Sequence, residues 1–129
     1  MSNHKEFRVS QQIVLQNDAG NILALQKTGS GIWLLPGGRI DEEDRDLEQA
    51  LFREVKEEIG IEVTVGKPLA VDTATHWNTF AVAFLATAEG SFEPVLSEEH
   101  SAYEWISPAE ASDRLYYKRI GKAIKEQLG

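Results

Sequence analysis

The sequence predicts a layered α/β (α+β) domain, with strands on both sides of one long helix and more helix at the end. Three observations carry this. Residues 46–59 form an amphipathic helix pattern with a start and a stop signal, strand-like apolar segments flank it, and "RIGKAIKEQL" closes the chain with a second amphipathic pattern. The 129 residues suit a single domain, 1–129. A chain of this size buries roughly two-thirds of its unfolded surface and needs no staples.

The elements follow in order. "FRVSQQIVLQ" alternates and then turns apolar, as a strand does on entering a core. "NDAGN" is a turn signal, and "ILALQK" reads as the returning strand of a hairpin. Gly29, Gly31 and the Pro36-Gly37-Gly38 cluster must break regular structure around the short apolar piece "IWLL". Asp46 is then a good N-cap, with Gln49 completing a capping-box pattern. Leu47, Leu51, Val55 and Ile59 make a core-facing stripe flanked by Phe52, and Gly60 stops the helix. "IEVTV" and "LAVDTAT" are strand material, and "NTFAVAFLATA" is apolar on both faces, as a central strand should be. Glu89-Gly90 marks a turn, "YEWIS" a short strand, and Pro108 opens "PAEASDRL" at the favoured first helical position.

The chain has no cysteine, which excludes disulfides and thiolate metal sites. The start "MSNHKEFRVS" lacks an apolar signal-peptide core, and the longest apolar run, 80–86, is too short to span a bilayer. The expectation is a soluble cytoplasmic protein. Its net charge is −8, and residues 37–61 hold nine acidic against four basic side chains, so that stretch supplies −5 of it. Such acidity disfavours a nucleic acid polymer as partner. A cation is needed if phosphates are handled.

Placed at about 100° per residue with Leu51 at zero, Glu58 falls at about −20° inside the apolar stripe, Glu54 at about −60° on its edge and Glu57 at about −120° beside Glu54. Glu54 and Glu58 are a like-charge pair at helical spacing, which opposes helix stability. A dry, unpaired carboxylate costs several kcal/mol against a total stability of about 5–15 kcal/mol. A hard divalent ion such as Mg²⁺, which takes oxygen ligands, would compensate. A solvated acidic face is the plainer alternative.

"REVKEEIGI" at 53–61, preceded by "LPGG" at 35–38, resembles the signature of the Nudix hydrolase (MutT-like) family. The apolar strands before it and "EEHSAYEWIS" after it extend the likeness over most of the chain. The interval from Gly38 to Arg53 is one residue longer than the family pattern, so the family's loop Glu is lost, shifted or replaced by Asp44 or Glu43. The resemblance implies an α/β/α sandwich with a mixed β-sheet between helices. It also implies Mg²⁺- or Mn²⁺-dependent hydrolysis of a nucleoside diphosphate linked to another group, by water attack at phosphorus. By the same resemblance, Glu54, Glu57, Glu58 and the Gly38 carbonyl would ligate metal, and Arg53 would orient the carboxylates. Glu54 is the first candidate for general base. Glu99 resembles a later acid that some members use as metal ligand or base, with Glu98 its near-equal rival.

Arg39, Trp77 and His100 are candidate substrate contacts, while Trp33 and Trp105 read as packing residues. His76 is a weaker phosphate candidate, and His4 falls in the N-terminal tail. The default substrate is a nucleoside triphosphate, including oxidised or non-standard ones. ADP-ribose, nucleotide sugars and dinucleoside polyphosphates are the alternatives within the family. A non-catalytic nucleotide-sensing module is the alternative of another class. A homodimer is left open.

Overall fold

The computed structural model describes residues 3–90 and 92–129. Its strands are β1 (Arg8–Leu15), β2 (Ile22–Lys27), β3 (Trp33–Leu34), β4 (Gly37–Arg39), β5 (Thr64–Ala74), β6 (Thr79–Thr87) and β7 (His100–Ile106). Its helices are α1 (Leu47–Ile59), α2 (Ala111–Arg114) and α3 (Lys118–Leu128). A mixed sheet runs β4-β1-β6-β5, with β1 parallel to β6, and a second, antiparallel sheet runs β3-β2-β7. No helix among the described residues is long and apolar enough to cross a membrane.

The period-two alternation of β1 sorts its side chains onto two cores. Ile13 and Leu15 join Leu51, Val55 and Ile59 of α1 in one buried cluster. Val14 joins Ile120 and Ile124 of α3 in the other. The mixed sheet is therefore flanked by α1 on one face and by the C-terminal helices on the other. The apolar "NTFAVAFLATA" segment becomes β6, which lies between β1 and β5 and is covered on both faces.

Helix α1 follows its sequence signals closely. Asp46 accepts a hydrogen bond from the Gln49 N–H at 3.1 Å, and Gly60 takes the left-handed conformation (φ 71°) that ends the helix. Leu47 departs from the expected stripe. It is 47 % exposed, because the buried face begins one turn later, at Ala50 and Leu51.

Two strand readings also change. β1 and β2 do not form a hairpin ladder. β6 occupies one edge of β1 from Arg8 to Leu15 and β4 takes part of the other, so β2 turns away into the second sheet. A bridge between Gln16 and Ile22 is what links the two strands beyond the turn at Gly20. "IEVTV" and "LAVDTAT" merge into the single edge strand β5, with register breaks on either side of Pro68, which has no N–H to donate.

The C-terminal layer is fastened by a carboxylate. Asp72 of β5 is 7 % exposed, and its Oδ2 accepts the Arg119 N–H in the first turn of α3 at 2.8 Å. Its Oδ1 accepts the Thr73 N–H. Asp72 thus caps a helix from a neighbouring strand. Asp72→Ala should lower the unfolding free energy by about 1–2 kcal/mol in urea titrations, with Asp72→Asn losing less. Equal midpoints for the alanine variant and wild type would contradict this role.

Candidate active site

The site is built where α1 crosses the start of β4. Gly37 and Gly38 pair with Gln12 and Gln11 of β1, which brings the glycine backbone under the last two turns of the helix. The Gly37 N–H donates to Glu58 Oε1 at 2.9 Å. A Cβ on Gly37 would lie 2.0 Å from the Gln11 carbonyl oxygen, and one on Gly38 would lie 1.5 Å from Glu54 Oε2. Backbone atoms close the first position to a side chain, while a side chain at the second would have to displace the Glu54 carboxylate that fills the space.

The three helix glutamates differ in exposure, as the helical wheel predicts. Glu58 is buried, Glu54 half-buried and Glu57 open to solvent, with its side chain 70 % exposed. Burial pushes the Glu58 carboxyl up to about 8; the Gly37 N–H offsets this in part, while Glu99 and Glu54 add to it. Glu54 is also raised, first by burial and then by Asp41, Asp44 and Glu57, with Arg53 opposing.

Arg53 stands behind this cluster. Its guanidinium lies 3.7 Å from Glu54, 3.8 Å from Glu57 and 3.5 Å from Asp44. Asp44 is nearly fully buried at its side chain and accepts the Asp41 N–H at 2.8 Å, which ties down the lengthened loop. Glu43 is exposed. Of the two candidates for the loop position, Asp44 is the one against Arg53. Lys56 points away and pairs with Glu62.

Glu99 arrives from the other sheet. Backbone bonds from Val95 to Ile59 and from Ser97 to Glu58 stitch the segment before β7 to the end of α1. The Thr28 N–H donates to the Glu99 carbonyl, and the Thr28 hydroxyl to that of Glu98. β7 begins at His100, three residues before the "YEWIS" segment. His100 pairs with Lys27 of β2, and its Nδ1 lies 3.8 Å from Glu58 Oε2. Burial lowers the His100 pKa; Glu99 opposes this and Lys27 adds to it.

A pocket of about 540 Å³ joins most of these groups. Gly38, Glu54, Glu58, Glu99, His100, Arg39 and Trp77 all line it. Glu57 lines a smaller cleft with Glu54, Glu58, Glu98 and Glu99, so both loop acids remain within reach. Arg53 lines neither cavity and lies instead against Asp44, Glu54 and Glu57. Trp77 stacks on Tyr116 at 4.6 Å between centroids, with Lys27 Nζ 4.7 Å from its ring centroid. His76 is exposed and outside the pocket. Trp33 and Trp105 pack as expected, against Arg114 and Phe92. Lys27, Tyr117 and Gln12 also line the pocket, and sequence reasoning missed all three. Lys27 had one available signal, a lone cation at the end of an apolar strand.

These residues fit a divalent cation. Six carboxylates line two cavities that share Glu54, Glu58 and Glu99, and Arg53 is a basic side chain that partners Glu54 and Glu57. A bound divalent ion would let the buried Glu58 stay ionised near neutral pH.

A family profile described as NUDIX domain matches residues 6–127. The chain is 36 % identical over 107 residues to a "MutT-like protein" of Streptomyces ambofaciens, covering 83 % of this chain and 68 % of that one. It is 34 % identical over 105 residues to the CTP pyrophosphohydrolase of Escherichia coli K12, covering 76 % and 74 %. The solved structure of a MutT protein from Methanosarcina mazei Go1 superposes with a TM-score of 0.80 at 24 % identity over 98 % of each chain, which supports the fold.

Glu58 also makes stability depend on pH. Its folded value, about 8, lies above the ordinary 4.5, so its contribution is fully present below about pH 4.5 and is lost as pH rises through about 8. In chelator, wild type should lose melting temperature between about pH 5 and pH 8.5, and Glu58→Gln should lose much less. Parallel profiles for the two proteins would contradict the burial of this carboxyl.

Proposed function

The chain belongs to the NUDIX domain family, and from that premise we propose that it hydrolyses nucleoside triphosphates to the monophosphate and pyrophosphate, by attack of water at phosphorus with Mg²⁺ or Mn²⁺ bound. The carrying observation is the convergence of Glu54, Glu58 and Glu99 on one pocket that Lys27, Arg39, Trp77 and Tyr117 also line. One part of that lining suits a cation, and the other suits phosphate and an aromatic base.

Glu54, Glu57, Glu58 and the Gly38 carbonyl would hold the ion, with Glu99 adding an oxygen. When bound, the ion neutralises charge on the diphosphate oxygens and makes water a better nucleophile. The chain supplies the rest. Arg53 fixes the directions of Glu54 and Glu57. Glu54, raised in pKa by burial, would take the proton of the attacking water. Gly38 leaves the room its carboxylate needs. Lys27 and Arg39 offer positive charge to the outgoing pyrophosphate, and the Trp77–Tyr117 wall receives the nucleoside.

The relative named for CTP makes CTP the first nucleotide to assay, beside the other triphosphates, nucleotide sugars, ADP-ribose and dinucleoside polyphosphates. Glu57 is exposed, so Glu57→Gln should fold normally and still lower kcat by at least about a hundredfold, as loss of a cation ligand does. Unchanged turnover in that variant would refute the site assignment. A folded wild type that binds nucleotides yet cleaves none of them would favour the sensing module.

A further inference from the structure

We propose that His100 is a nitrogen ligand of the cation site, so that Glu58, Glu99 and the His100 imidazole hold one ion together and favour Mn²⁺ over Mg²⁺. This rests on the reading that the carboxylate cluster holds a divalent cation, and it adds a donor of another chemistry to that cluster. One carboxylate oxygen each from Glu58 and Glu99 and one imidazole nitrogen of His100 lie within 4.8 Å of one another.

The imidazole itself supplies the independent observation. The His100 side chain is 8 % exposed, and its Nδ1 is buried with no hydrogen-bond partner among the described residues. A buried polar atom in this state is uncommon in folded proteins and calls for a partner. Glu58 Oε2, at 3.8 Å, is too far to be one directly. That separation suits two ligands of a common ion instead. Donors about 2.1 Å from one ion stand roughly 3–4 Å apart.

The backbone holds the ring in place. The His100 N–H bonds to the Ser97 carbonyl, residue 100 pairs with Lys27 across β2 and β7, and the neighbouring Glu99 carbonyl is held by Thr28. The ring therefore sits on two anchored elements and not on a free loop. Neutral imidazole is the form that ligates metal, and burial favours it at His100, with Glu99 opposing and Lys27 adding to the effect.

Mn²⁺ shares with Mg²⁺ a preference for oxygen donors, but as a first-row transition ion it accepts an imidazole nitrogen among them more readily than Mg²⁺ does. Electron spin-echo envelope modulation of one equivalent of Mn²⁺ on the chelator-stripped full chain reads this directly. Histidine ¹⁴N modulation should appear in wild type, persist in the His4→Gln/His76→Gln double variant, which keeps His100 as the single histidine, and vanish in His100→Gln. The double variant keeps the test open if His100→Gln folds poorly. By titration, His100→Gln should raise the Mn²⁺ Kd about tenfold or more and the Mg²⁺ Kd less than about threefold. Bound Mn²⁺ without nitrogen modulation, or an equal rise in both constants, would overturn the nitrogen ligand while leaving the carboxylate site standing. No Mn²⁺ binding by wild type would overturn both.

Discussion

A single buried carboxylate organises this site. Glu58 lies on the core-facing side of α1, 6 % exposed, with one backbone N–H from Gly37 as its hydrogen-bond donor. Its other acidic neighbours, Glu54 and Glu99, raise its pKa further. A charge in that position is unfavourable unless a cation joins it. The surrounding features read as consequences: two glycines that let backbone and carboxylate meet, an arginine that spans three acids without entering the pocket, and a loop acid, Asp44, buried to hold that arginine.

The fold serves the site by splitting its strands between two sheets. β1 carries β4, with its glycines, on one edge, and β6 on the other. β2 and β7 belong to the second sheet and bring Lys27, Glu99 and His100 to the same pocket. Acids that are more than forty residues apart in the chain, Glu54 and Glu99, thus face one cavity. Asp72 fastens the C-terminal helix to the mixed sheet, and Tyr117 just ahead of that helix reaches the pocket.

How much of this was legible in the sequence follows the range of the interactions. α1 was readable from end to end, because caps and periodicity are local, and Glu58 stood out as an acid inside an apolar stripe. Leu47 was misjudged because a wheel does not say where a helix first meets its core. The extra loop residue left Asp44 and Glu43 equal, and the choice depends on which one reaches Arg53 across the loop. The β1–β2 hairpin was misread because its competitors for the β1 edges lie far away in sequence. Lys27 and the burial of His100 stayed hidden for the same reason: they depend on the β2–β7 register, which no local pattern encodes. Trp77 stands out locally as an aromatic, but its stacking on Tyr116 comes from the distant C-terminal layer.

The central claim is that Glu54 and Glu58 are placed for a cation at the expense of the metal-free fold. Melting temperatures of chelator-stripped wild type and Glu54→Gln/Glu58→Gln, each with and without Mn²⁺ near pH 8, test it most directly. The double variant should melt above wild type in chelator and gain nothing from Mn²⁺, while wild type should gain clearly. A wild type indifferent to Mn²⁺, or a double variant that gains as much, would contradict a site organised around a bound cation.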